Sequence, residues 1–134
     1  MRNHIEAFKQ FGEDELRMVS THDATNYEMQ YVREDLRDAF TDGELDNAHR
    51  NLVANQVSSE DFSQAVDHGG LQAQQFFFED VLAFIFPASR YDGVLVSYDR
   101  EGSIPVAEVS EPASTYWSDP GRTDHRRPDR FHAD

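Results

Sequence analysis

Leu71-Gln72-Ala73-Gln74-Gln75-Phe76-Phe77-Phe78, the polar break Glu79-Asp80, and Val81-Leu82-Ala83-Phe84-Ile85-Phe86 form the stretch on which the architecture turns. The first run ends in three phenylalanines, and the second joins Phe84 and Phe86 to the β-branched Val81 and Ile85. Together they read as two strands joined by a hairpin bend at Glu79-Asp80. Successive side chains of a strand point to opposite faces, so Phe77 faces one side while Phe76 and Phe78 face the other. Leu82, Phe84 and Phe86 alternate in the same way against Val81, Ala83 and Ile85. A sheet that is apolar above and below needs cover on both faces.

Downstream, Pro87–Asp92 reads as a loop closed by Gly93, and Val94–Tyr98 as a third strand ended by Asp99-Arg100-Glu101-Gly102. Ile104–Val109 adds a short edge strand, with Pro105 tolerable only at an edge. Upstream, Asp67-His68-Gly69-Gly70 is a turn. Before it, Thr41-Asp42-Gly43-Glu44 has the form of a capping box. From there Leu45, Ala48, His49, Leu52, Val53, Gln56 and Val57 fall on one helical stripe,. A first turn at Leu36–Phe40 precedes this helix, and a short one from Ser58 or Ser59 to Val66 follows it. Leu16–Thr21 and Tyr27–Arg33 alternate around the turn formers His22 to Asn26, which predicts a β-hairpin. Ile5, Phe8 and Phe11 place a short helix over Asn3–Phe11, ended by Gly12. The order is α-β-β-α-β-β-β. It predicts an α+β, two-layer sandwich of about five antiparallel strands with one long helix and a short N-terminal helix. The cover for the second apolar face is expected from within the chain, with a modest patch left exposed.

This order over residues 3–98 resembles the roadblock and profilin-like sheet folds, whose members mostly act as scaffolds, regulators or sensors. A second resemblance rests on particular residues. Tyr27-Glu28-Met29-Gln30-Tyr31-Val32-Arg33-Glu34-Asp35-Leu36, then Phe78-Glu79-Asp80, then Gly93-Val94-Leu95-Val96-Ser97-Tyr98-Asp99-Arg100 look like a family of small haloarchaeal proteins of unknown function. Those proteins share a "YE..YVR.D" strand-to-helix junction and a later "F.D…GV.VS.DR" stretch. The match spans residues 16–100. It implies a haloarchaeal origin and no particular activity.

Charge points the same way. Twenty-six Asp and Glu oppose twelve Lys and Arg, a net −14 at pH 7, and Lys9 is the sole lysine. At molar salt the Debye length is about 3 Å, so the self-repulsion of such a chain is largely cancelled. Short carboxylates hold water and cations at the surface, where lysine stems would add apolar area. This composition is expected of a halophilic cytoplasm. It also argues against direct nucleic-acid binding, which draws on Lys and Arg to displace counterions. The absence of cysteine removes disulfides, thiolate metal sites and thiol nucleophiles,. No apolar run reaches signal-peptide or membrane-spanning length, so a cytoplasmic location without membrane attachment is expected. Residues 1–109 read as a single domain. Residues 110–134, with three of the five prolines and four arginines, read as a flexible tail,.

No G-x-S-x-G, G-x-x-x-x-G-K-[ST], G-x-G-x-x-G or paired-histidine motif is present, so neither catalytic residues nor a cofactor is expected. The one metal candidate joins two turns, His22-Asp23 and Asp67-His68, which could hold a divalent ion if they met at one end of the sheet. The apolar strands supply the candidate interaction residues Phe76, Phe78, Phe84 and Phe86, to which the tail adds Trp117. The expected function is a non-catalytic regulatory or protein-interaction module whose partner is another protein or a second copy, as in a homodimer. The alternative is a small-molecule or metal-binding sensor or enzyme around His22 and His68.

Overall fold

A computed structural model describes residues 2–67, 69–100, 109 and 111–114. The elements run α1 (Arg2–Lys9), β1 (Leu16–His22), β2 (Tyr27–Val32), a 3-10 turn (Glu34–Leu36), α2 (Asp42–Ala65), β3 (Gln74–Phe77), β4 (Val81–Pro87) and β5 (Gly93–Asp99). The strands form one antiparallel sheet in the order β2-β1-β5-β4-β3. The expected α+β class and element order are both present. The helices are divided between the two faces of the sheet rather than gathered on one.

Strand register explains that division. Phe84 pairs with Val96, Leu82 with Tyr98, Phe86 with Val94, and Val19 with Val96, so these side chains share a face. Ile5 and Phe8 of α1 pack onto it together with Val109 and Ala113, making the one large apolar core. Phe8, Leu16, Val19, Phe84, Val94, Val96 and Tyr98 are fully buried there. The Tyr98 hydroxyl donates to the Phe8 carbonyl at 2.9 Å and ties α1 to the sheet. Burial pushes the Tyr98 phenol pKa up,.

The opposite face carries His22, Tyr27, Ile85, Leu95 and Gln74. Here α2 crosses the strand ends. Its N-terminus is set as the sequence predicts: the Thr41 side chain accepts from the Glu44 backbone N–H at 3.1 Å, and the Glu44 carboxylate accepts from the Thr41 N–H at 2.8 Å. Asp42 and Glu44 in the first turn complement the helix dipole,.

Several boundaries differ from the sequence reading, each for a visible reason. α2 runs unbroken to Ala65, because the Ser59 hydroxyl donates to Gln74 Oε1 at 3.0 Å instead of capping a new helix. β3 starts at Gln74, not Leu71. Past Ile85 its partner strand runs into Pro87, which has no N–H to give,. The turn expected at 36–40 closes earlier, at Glu34–Leu36. Val109 is helical, so the strand expected over 104–109 does not reach it, and the rest of that stretch lies outside the described residues. Residues 111–114 are also helical and Ala113 is core, which carries the packed body past the 109/110 boundary drawn from composition.

One irregularity places charge. A register shift between Leu16 and Met18 sets Arg17 out of step with β5. The Arg17 guanidinium donates to Asp99 Oδ1 at 2.9 Å, and Arg33 donates to Asp99 Oδ2 at 2.6 Å and to Asp35 at 2.6 Å. Burial acts to raise the Asp99 pKa, but the bonds from Arg33 and Arg17 prevail and hold it below the usual carboxylate range. The Arg33, Asp35, Asp99 motif singled out in the sequence thus fastens the starts of β1 and the ends of β2 and β5 together.

Candidate functional site

Four of the six large apolar residues exposed among the described residues, Phe62, Val66, Phe77 and Phe78, lie on β3, its hairpin and the end of α2; Phe40 and Tyr91 lie elsewhere. Among the described residues β3 is an edge strand that pairs with β4 alone, so one row of its backbone groups is left without a strand partner there. Gln74-Gln75-Phe76-Phe77 contains no Lys or Pro, the residues that usually blunt such an edge,. At the hairpin tip Phe77 is 66% exposed and Phe78 55%. Phe76 stacks on Phe78 at 6.0 Å between ring centroids. The Arg100 guanidinium lies 5.7 Å from the Phe77 ring and donates to the Phe78 carbonyl at 3.0 Å,. These contacts pre-order two aromatic rings that stay more than half exposed. The last turns of α2 lie beside the start of β3, joined through Ser59 and Gln74, and they expose Phe62 at 67% and Val66 at 39%.

The second feature is the seat of α2. Its buried residues are His49, Gln56 and Glu60, and none is apolar. Leu52, Val53 and Val57 are only half-buried, so the stripe is a shallow one. Contacts instead step across the sheet. The Tyr27 hydroxyl donates to Asp46 at 3.0 Å, and His49 Nε2 donates to the Asp23 carbonyl at 2.8 Å. Gln56 meets His22 and the loop before β5, Ser59 meets Gln74, and Asp61 pairs with Arg90 at 2.9 Å.

Gln56 is the centre of this seat and is fully buried. Its Nε2 donates to the carbonyls of Ser89 at 2.9 Å, Asp92 at 2.9 Å and Arg90 at 3.3 Å. Its Oε1 lies 2.8 Å from His22 Nε2. Gly93 closes the other side of His22. A Cβ there would lie 2.8 Å from the imidazole Cε1 and 3.0 Å from the Phe86 carbonyl, so only glycine fits. Burial lowers the His22 pKa, the Gln56 bond raises it, nearby His49 lowers it, and Asp92 and Asp23 raise it; the net direction is down,.

The sequence-derived candidates fall into three groups. Phe84 and Phe86 are withdrawn from any surface, being 0% and 4% exposed under α1. Phe76 and Phe78 lie at the edge as described, and Trp117 lies outside the described residues. For the metal candidate, His22 is engaged by Gln56, and Asp23 Oδ1 accepts from the Thr25 and Asn26 N–H groups at 2.9 and 2.8 Å to shape its turn. Asp67 follows the far end of α2. Ala65, the last helical residue, lies about 14 Å along the axis beyond Gln56 at 1.5 Å per residue, so the two turns are not brought together,. His68 lies outside the described residues. Among the described residues no group of three or more His, Asp or Glu could hold a metal ion, and no helix is long and apolar enough to cross a membrane. Sequence reasoning missed Phe77, Phe62 and Val66 as exposed residues, and the role of Gln56. The available signal for the latter was an amide centred in an otherwise apolar stripe.

A family model described as "Domain of unknown function (DUF7522)" matches residues 2–117. No curated protein matches the chain. Among solved structures, one described as "MglB with tetrameric arrangement" superposes with a TM-score of 0.55 at 11% identity, covering 85% of this chain and 82% of that one. At that identity the likeness speaks to fold alone, and it agrees with the roadblock-like element order.

Proposed function

Since the chain belongs to the family defined by this domain of unknown function, we propose that it is a non-catalytic regulatory or protein-interaction module of a salt-rich cytoplasm, working through the β3 edge and the adjoining end of α2. The observation that carries this reading is the exposed Phe77 and Phe78 at an edge strand without Lys or Pro, with Phe62 and Val66 exposed on the end of α2 that bonds the start of that strand. Pre-ordered aromatic rings cost little side-chain entropy when a partner covers them. An open edge row of N–H and C=O groups adds directional pairing. The occupant proposed is a second copy of the chain, which presents the same edge and the same rings. The structural neighbour's tetrameric arrangement accords with self-association in this fold. Screening explains how fourteen excess negative charges tolerate assembly, because at molar salt their repulsion reaches only about 3 Å,.

Light scattering in molar KCl tests the proposal. The expected mass corresponds to two or more chains at micromolar concentration. Phe77→Asp with Phe78→Asp should give monomers whose circular dichroism is unchanged. A wild-type monomer across that range, with no protein recovered alongside it from a high-salt lysate, would overturn the reading.

A further inference from the structure

A helix of 24 residues that buries only His49, Gln56 and Glu60 is fastened by hydrogen bonds, not by a greasy stripe. The central bond is made by a buried imidazole that can take one further proton. The orientation of the Gln56 amide is fixed, because its Nε2 faces three carbonyl oxygens and the reverse orientation would set Oε1 against them,. Oε1 therefore faces His22, so His22 Nε2 is the nitrogen that carries the hydrogen in the neutral ring. The remaining nitrogen, Nδ1, is buried and has no hydrogen-bond partner among the described residues. A second proton has to go there, to a position with no acceptor, inside a residue that is 5% exposed.

The groups facing His22 come from every element around it. Gln56 and His49 belong to α2, Asp92 to the loop before β5, Asp23 to the turn after β1, and Gly93 begins β5. Burial, the largest influence, and the His49 ring oppose the cation and prevail over the Gln56 bond, Asp92 and Asp23, which favour it. The sign follows. The folded imidazole holds its second proton less tightly than the unfolded one. The closed arrangement is fully stable above the ordinary imidazole value, loses stability as pH falls from there to the lowered folded value, and changes no further below it.

We propose that the buried seat of His22 is an acid-sensitive latch, which holds α2 across the strand ends while the imidazole is neutral and releases it when the ring takes a second proton, because the new Nδ1–H finds no acceptor among the described residues until the seat opens to water. Release is local. The Phe84, Tyr98 and Phe8 core lies on the other face of the sheet and contains none of these groups. The latch closes within one chain, so its readouts stand or fall separately from the assembly proposed above.

Hydrogen exchange on the full chain in molar KCl, corrected for intrinsic rates, compares about pH 7.5 with about pH 5. The α2 amides should lose protection on the order of tenfold, while those of β4 and β5 keep theirs. His22→Gln keeps a donor toward Gln56 without titrating, and it should abolish the step. Constant α2 protection, equal loss in every element, or a step that persists in His22→Gln would each overturn the latch. If His22→Gln does not fold, the His22 ring is followed by NMR in the wild-type chain. A ring titration coincident with α2 release supports the latch, and one that is not coincident overturns it.

Discussion

Replacing Gln56 with alanine removes the acceptor from a buried imidazole N–H and the shared donor from three loop carbonyls. The largest single loss is the orphaned His22 Nε2–H, and a buried donor left unpaired costs about 1–3 kcal/mol. The carbonyls lose less, since an under-satisfied oxygen is tolerated better than a bare N–H. Adding the contacts of a fully buried side chain brings the expected cost to about 2–4 kcal/mol. Against the usual total of about 5–15 kcal/mol that is a large share. At this chain length it lowers the melting temperature by about 6–20 °C. Urea unfolding followed by far-UV circular dichroism in molar KCl would measure it. Gln56→Met separates the causes, because methionine fills the volume without supplying polar atoms. Most of the loss should persist in Gln56→Met. Recovery to within about 0.5 kcal/mol of wild type would mean that packing, and not the amide's four contacts, secures the helix.

Two further outcomes follow from the same structure. Unfolding midpoints should rise steadily as KCl increases toward molar concentration, since screening removes the repulsion of the net −14 charge,; full stability in dilute buffer would refute a chain built for salt. Gly93→Ala places a methyl 2.8 Å from the His22 ring and 3.0 Å from the Phe86 carbonyl. It should cost about 1–3 kcal/mol by overpacking, and an unchanged denaturation midpoint would show that the imidazole has room to move.

The sheet and the main helix start were legible because they depend on local rules. Alternation in 16–21, 27–33 and 81–86 and the apolar run 94–98 predict strands within a residue or so of those formed, and Thr41 with Glu44 predicts the cap, each from residues close together in sequence. What escaped depends on pairs far apart. Nothing local says that Ser59 will bond Gln74, so the helix looked interrupted at Ser58-Ser59. Nothing local shows that Phe84 and Phe86 lie under α1 while Phe77 and Phe78 project from an edge; strand alternation fixes relative faces, and only strand order decides which are covered. Gln56 on an apolar stripe reads as a tolerated interruption until its three carbonyl partners, more than thirty residues away, are seen.

The polar underside of α2 gives the helix a single azimuth. An apolar stripe can slide or rotate and still find oily contact, whereas turning α2 by one residue swings Gln56 through about 100° and breaks every bond it makes. Those bonds are shielded from solvent, so dissolved ions screen them far less than they screen the surface carboxylates. The helix therefore keeps the same bearing in brine and in dilute buffer, even where the rest of the molecule's stability shifts with the ionic medium.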